Sequence, residues 1–424
     1  MASRVASVFA LALCAACSVD TSDPIVEGES EAGTSETSGS ETQGGGETGD
    51  CPDEPAAEVP ELAWRVELDS ELDDAIGDIA IDAQGRIHVV GWLRELDPFP
   101  NDLERPAAQA FVAVYSPAGE ELERTSWEVG GSVEGVEVTR LQQLELGPGG
   151  ERYVAGRSNA ELEGLGGNGG DSAFVAELDP AGEIAWVQLF DAFPDSYEAP
   201  EAFGLSATGE LLFIWGSAES EPIFGFPSHY FSRLSASGER ELDVALELGD
   251  WAYVGDVASD CLGEHFYVTG TVYTPDEGGF LARLDRDLNP VGLSWWGSPD
   301  SSLSQLSVTN AGVHVIGSVS SGSTGLFARY DAEGQLQWSR TDLDNLTGLQ
   351  ARGGTHFSGR GMEVIELAEQ EGWSVAVPER GGEFEFIQDI AKGPGGAIAV
   401  SGSFLDSLEA EQGDAFLALL LPPN

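Results

Sequence analysis

Asp82-Ala83-Gln84-Gly85-Arg86-Ile87-His88-Val89-Val90-Gly91 is a tight turn followed by a short apolar strand that ends at a glycine. Versions of it return six more times, at 150–156, 209–216, 263–270, 311–317, 354–359 and 395–402. Repetition at such spacing means one structural unit used again and again with a shared core. A chain of 424 residues therefore reads as one globular domain rather than two or three.

Around this stretch each unit reads as four strands. The third is Ala110-Phe111-Val112-Ala113-Val114-Tyr115, returning as Ala173-Phe174-Val175-Ala176, Gly279-Phe280-Leu281-Ala282, Leu326-Phe327-Ala328-Arg329 and Ala415-Phe416-Leu417-Ala418. A second tight turn follows it, as in Ser116-Pro117-Ala118-Gly119 and Asp179-Pro180-Ala181-Gly182, where proline and glycine have the backbone angles the turn needs. Four residues beyond the later turn glycines stand Trp186 and Trp338, marking a fourth strand. Short apolar runs between turn signals, without helical spacing, predict buried strands. Four-stranded antiparallel units repeated around an axis make a β-propeller. The chain stops after a third strand near Leu421, while 61–68, with Trp64, looks like an orphan fourth strand. The expectation is an all-β, single β-propeller of seven four-stranded blades over 61–424, closed by the N-terminal strand. The sixth repeat is weak, so six or eight blades also fit.

The repeat resembles the SBBP-type β-propeller repeats of bacterial exported lipoproteins: a glycine-rich turn, a strand ending in glycine, then Phe-Val-Ala-Arg-Leu-Asp, a turn and Trp. That resemblance covers about 61–421 and implies a fold, not an activity.

The N-terminus carries an address. Arg4, the apolar run 5–13 and small residues before a cysteine have the layout of a secretory signal too short to span a bilayer. Leu13-Cys14-Ala15-Ala16-Cys17 resembles a bacterial lipobox, which implies a signal peptide over 1–16 and a diacylated Cys17; Ser18 is compatible with outer-membrane sorting. Cys14 stands where the family prefers leucine, which leaves ordinary secretory cleavage nearby as the alternative. Residues 17–60 are Glu, Ser, Thr and Gly with no base, a composition that cannot offset the entropy of ordering and predicts a disordered acidic tether. Cys51 and Cys261 then remain, and in an oxidising compartment they are candidates for a disulfide, the alternative being two unpaired thiols.

Charge excludes one class of partner. There are 19 Lys+Arg against 74 Asp+Glu, a formal net charge of −55, and Lys392 is the sole lysine. Such a field repels phosphate backbones and anionic lipid heads, so nucleic acid is not expected as a partner. No calcium loop, nucleophile elbow or phosphate-binding glycine loop is present, and no cofactor or metal is expected.

Spacing between successive strand-end glycines falls from 65 residues to 42 and 43 while the tight turns keep their length. Variation is thus confined to the face where second strands join third strands and blades join each other. Aromatics stand among acids there, and the candidate ligand-contacting residues are Tyr197, Phe224, Phe226, Trp251, Tyr253 and Trp296. Rings beside carboxylates suit carbohydrate or protein recognition; the competing reading is that they fold the loops onto the propeller. His88, His314 and His356 occupy a position that is Tyr153, Phe213 or Tyr267 in other repeats, which marks a packing site. Sheet spacing of roughly 10 Å argues against those histidines sharing an ion. Asp195, Glu198, Glu201 and Asp250 are the acids that could pair for glycoside chemistry if loops converged. The combined expectation is a monomeric, membrane-anchored surface lipoprotein of the cell envelope whose propeller binds without catalysis. A carbohydrate-active lyase or glycosidase, and a structural component of an envelope complex, are the alternatives.

Overall fold

The computed structural model describes the strands and tight turns between residues 59 and 423. Residues 1–58, residue 424 and most loops joining second to third strands, or blade to blade, lie outside the described residues, and with them the predicted signal, Cys17 and the tether.

Strand β1 (Glu61–Leu68) comes first in the chain. Blade 1 is β2 (Asp73–Ile81), β3 (Ile87–Arg94), β4 (Ala108–Tyr115) and β5 (Glu121–Ser126). Blade 2 is β6 (Thr139–Leu146), β7 (Arg152–Ser158), β8 (Ser172–Leu178) and β9 (Ile184–Phe190). Blade 3 is β10 (Tyr197–Leu205), β11 (Leu211–Ala218), β12 (Ser228–Leu234) and β13 (Arg240–Leu246). Blade 4 is β14 (Ala252–Ser259), β15 (His265–Val272), β16 (Gly279–Asp285) and β17 (Pro290–Trp296). Blade 5 is β18 (Ser302–Thr309), β19 (Gly312–Val319), β20 (Thr324–Tyr330) and β21 (Leu336–Leu343). Blade 6 is β22 (Thr347–Arg352), β23 (Thr355–Arg360), β24 (Glu363–Leu367) and β25 (Ser374–Ala376). Blade 7 takes β26 (Phe384–Lys392), β27 (Ile398–Leu405) and β28 (Gly413–Leu421), and β1 pairs antiparallel with β28 as its fourth strand. The propeller therefore has seven blades, closed by the N-terminal strand as the orphan strand predicted.

Seven apolar clusters fill the seven gaps between neighbouring blades, the last joining blade 7 to blade 1 through Leu417, Leu419, Ile79 and Val89. No gap lacks one, so the ring is shut by burial as well as by strand pairing. Outer strands also clasp the next blade. The Trp64 indole N–H on β1 donates to the Pro117 carbonyl of blade 1 at 2.9 Å, its ring lying over Gly119. Trp127 at the end of β5 donates to the Gly182 carbonyl of blade 2 at 3.2 Å.

The repeat glycine is not a strand end. Gly91 lies inside β3, which runs on to Arg94. A Cβ there would stand 2.1 Å from the Ala75 carbonyl oxygen and 2.9 Å from the Phe111 ring. Glycine is required because the third-strand phenylalanine ring packs against this backbone; Gly156 against Phe174 and Gly402 against Phe416 repeat the arrangement.

Candidate functional site

Every inner strand breaks register at the same level. The shifts fall between Ile76 and Asp78, Leu141 and Gln143, Pro200 and Ala202, Val254 and Asp256, Leu303 and Gln305, Thr347 and Gln350, and Ile387 and Asp389. A bulge inserts a residue and re-aims its neighbour's side chain. Here the ring of bulges borders a central channel of about 480 Å³ lined by Asp78, Gln143, Glu145, Asp256, Asp389 and Lys392 among others.

The bulge acids hold the seams. Asp78 accepts the Ile79 N–H of its own strand and the Leu144 N–H of blade 2, each at 2.7 Å. Asp256 accepts Val257 N–H at 2.7 Å and Leu306 N–H of blade 5 at 2.9 Å. Asp389 accepts the N–H groups of Ile390 and, across the closing seam, Ile79. In blade 3 the extra residue itself does this work: Glu201 accepts Val254 N–H of blade 4 at 3.1 Å. Asp78, Asp256 and Asp389 line the channel yet are surrounded by protein, so their charged forms are poorly solvated. Burial pushes the Asp256 carboxyl up to about 7. Burial and the Asp256 carboxylate push Glu145 up to about 8. Asp78 is raised well above the carboxylate range by burial and by Asp389, with which it shares a hydrogen bond, and that bond requires one of the two carboxyls to keep its proton. Sequence reading passed over these acids. Their signal was positional: Asp78, Gln143, Asp256, Gln305 and Asp389 each stand four residues before the turn or strand end that closes an otherwise apolar run.

On the loop face the structure divides the predicted aromatics. Tyr197 and Phe226 stack with centroids 6.0 Å apart, and the Arg157 guanidinium lies 5.2 Å from the Tyr197 ring. Phe226 is buried, its N–H bonded to the Ala252 carbonyl at 3.0 Å, so it is part of the wall rather than a contact surface. Trp296 ends β17 half-buried against the core between blades 4 and 5, again a packing residue and not a loop aromatic. Phe224 and Trp251 lie outside the described residues. Tyr253 remains open at 47% exposure, with Tyr273 also exposed. The Tyr253 hydroxyl is pushed up by surrounding protein first, then by the Glu201 carboxylate and Tyr273.

The acids proposed for glycoside chemistry do not converge on open space. Glu201 meets His229 Nδ1 at 2.6 Å with both side chains fully buried. Glu198 is buried too, accepting hydroxyl bonds from Ser196 and from Ser217 at 3.0 Å and the Ala192 N–H at 3.3 Å, and burial raises its carboxyl. Asp195 and Asp250 lie outside the described residues. Among the histidines, His88 bonds Asp82 at 3.1 Å, and His314 and His356 meet ring to ring, closer than sheet spacing alone suggested. No group of three His, Cys, Asp or Glu among the described residues is arranged to hold a metal ion. Cys261 is disulfide-bonded; Cys51, the partner expected from the sequence, lies outside the described residues.

The class defined by this geometry is the seven-bladed β-propeller with an acid-lined channel. No family model matches the chain, nor does any curated protein sequence. Among solved structures it is similar to one described as the Dos1 propeller, with a TM-score of 0.53 and 10% identity, the match covering 85% of this chain and 95% of that one. At that identity the likeness speaks for the fold alone.

Proposed function

We propose that the chain is an exported lipoprotein, anchored through Cys17 and held off the membrane by residues 18–60, whose propeller is a non-catalytic binding module working through its loop face. The observation that carries this reading is the division of labour on that face. Glu198 and Glu201 are consumed in buried hydrogen bonds, whereas Tyr253 and Tyr273 present open rings beside them. Open tyrosine rings, with a flat apolar face and a hydroxyl at the tip, suit carbohydrate or protein ligands. Among the described residues no helix is long and apolar enough to cross a membrane, so attachment on this reading rests on acyl chains.

The test has two arms. Intact-mass and peptide analysis of protein from its own membranes, with and without reduction, should give an N-terminal peptide starting at an acylated Cys17 and a Cys51–Cys261 link. An array of neutral and acidic glycans and of cell-surface proteins should give a ligand whose binding is lost in Tyr253→Ala. An unprocessed Met1 would sink the anchoring reading, and a ligand indifferent to Tyr253 would sink the loop-face reading.

A second reading, glycan cleavage, draws on the channel carboxyls held near neutrality, Asp256 and Glu145. Turnover of a glycan from the same array, abolished by Asp256→Asn in a folded protein, would favour it over binding alone.

A further inference from the structure

Of the eleven large apolar side chains exposed among the described residues, six belong to blade 4: Tyr253, Leu262, Tyr273, Val291, Leu293 and Trp295. Three of them form a stripe. Leu293 and Trp295 alternate along β17 and Val291 is the extra residue of the bulge before them; the three are 54%, 46% and 52% exposed, roughly 300 Å² of apolar area, the size of patch that on a monomer is commonly functional.

The repeat supplies its own controls. Third and fourth strands pair in the same register in blades 1, 3, 4 and 5, with Leu284 opposite Pro290, Tyr115 opposite Glu121, Leu234 opposite Arg240 and Tyr330 opposite Leu336. The positions equivalent to Val291, Leu293 and Trp295 are therefore Leu122, Arg124 and Ser126 in blade 1, Glu241, Asp243 and Ala245 in blade 3, and Gln337, Ser339 and Thr341 in blade 5. Those edges are guarded by charge, with Arg124 paired to Glu121, Arg240 to Asp243 and Arg340 to Asp342. Charged residues on an edge strand are the ordinary protection against another chain adding to the sheet. Pro290–Trp296 has none. Blade 2 also has an uncharged edge, but Val187 and Leu189 are half-buried on the core between blades 1 and 2 and Arg240 covers the Leu189 carbonyl at 2.9 Å.

The stripe continues a core outward. Trp295 stands edge-on to Phe280, centroids 6.1 Å apart, and Phe280 belongs to the cluster between blades 3 and 4 that Leu242, Val244 and Leu246 of β13 border. Acids stand at one end of it: Asp285 and exposed Asp287 lie at the turn that begins β17, and Arg286 between them is paired with Glu210 at 2.8 Å. β17 is the outermost strand of its sheet. A second copy of a chain with net charge −55 is repelled from such a surface, whereas a basic one is drawn to it.

We propose that β17 is a docking edge for an extended segment of another protein in which apolar residues alternate with Lys or Arg, added as a fifth strand to blade 4. Backbone pairing along β17 supplies affinity, the Leu293 and Trp295 side chains take the segment's apolar face with Val291 at its end, and the carboxylates of the turn take its bases. This surface is on the rim, apart from the loop face, and the inference does not depend on what that face binds.

The test uses the full chain and a fluorescent peptide of alternating Lys and Val. Controls are a block peptide of the same composition, an alternating Glu and Val peptide, and phosphatidylglycerol vesicles. The alternating basic peptide should bind at physiological salt and slow amide exchange over 290–296. Val291→Gln/Leu293→Ser/Trp295→Thr, which installs the blade 5 residues, should weaken it at least tenfold. Leu293→Arg, which installs the blade 1 residue, should do the same with an unchanged melting temperature, and Tyr253→Ala should bind as the parent does. The proposal is overturned if the peptide does not bind, if the block peptide binds as well, if the variants bind like the parent, or if the stripe takes up vesicles and not peptide.

Discussion

His314 of blade 5 and His356 of blade 6 lie ring against ring across the seam between their blades, centroids 3.6 Å apart and planes 35° apart. Both side chains are buried, and the Phe327 ring closes on them from 6.0 and 5.7 Å. Two imidazoles in such contact cannot both carry charge. Burial, then the neighbouring His356 and Arg329, lowers His314 to about 2; burial and Arg329 lower His356 to about 4.

This pair makes the fold acid-sensitive. Both folded values lie below the 6.5 of an ordinary histidine, so the unfolded chain binds more protons as soon as pH falls below about 6.5. Stability contributed by the neutral pair is complete above that pH and is lost on the way down to about 4 for His356, on the order of 3 kcal/mol. Replacing both residues with Phe, the residue blade 3 carries at this position, should flatten the melting temperature between pH 6.5 and 4 relative to the parent. An unchanged slope would place the acid sensitivity elsewhere.

The channel acids act with the opposite sign. Glu145, pushed up to about 8, and Asp256, pushed up to about 7, hold protons in the folded state that the unfolded chain releases near pH 4. Their contribution is present in acid and is lost as pH rises through 7 and 8. Glu145→Gln should therefore raise the melting temperature at pH 8.5 and leave it nearly unchanged at pH 5. Calorimetry at the two pH values reads the difference directly.

Gly91→Ala should be among the costliest single-methyl changes in the molecule. The added carbon meets the Ala75 carbonyl and the Phe111 ring at once, and neither can withdraw without breaking blade 1. We expect a loss of about 3 kcal/mol in chemical denaturation. Gly150→Ala is the contrast: its φ of 89° is strained for alanine, but a Cβ there meets nothing within 4 Å, and about 1 kcal/mol is expected.

Trp64→Ala removes both the indole bond to Pro117 and the ring that covers Gly119 at the closing seam. A cost of about 2 kcal/mol is expected for a half-buried tryptophan. Trp64→Phe should recover the burial but not the hydrogen bond, which separates the two contributions in the same unfolding assay.

Architecture was readable in the sequence because the repeat repeats its punctuation. Turn glycines, the third-strand phenylalanine and the fourth-strand tryptophan recur at fixed offsets, and a lone Trp64 strand at one end completes an incomplete blade at the other. Gly91 was read as a stop because an isolated glycine looks like one; that Phe111 lies on it is a tertiary fact. Histidines exchanging with Tyr and Phe were legible as packing residues, but the contact of His314 with His356 depends on two side chains leaning toward each other across a wedge. Loop aromatics could be located but not sorted: Phe226 is buried and Tyr253 open because of what packs over each, which their sequence neighbours do not show. Asp78, Asp256 and Asp389 were hidden by abundance. Among so many acids only their offset from the turn sets them apart, and a bulge, which gives that offset its meaning, leaves no mark in the residue types.

The strand that completes blade 7 is also the one that continues directly from the N-terminal segment. Glu61 to Leu68 pair antiparallel with β28 from Leu421 back to Ala415, so the first and last strands of the ring are fastened to each other. Neither can leave without opening blade 7, and with it the apolar seam to blade 1. The ring is therefore locked by its own two ends, and loosening one releases the other.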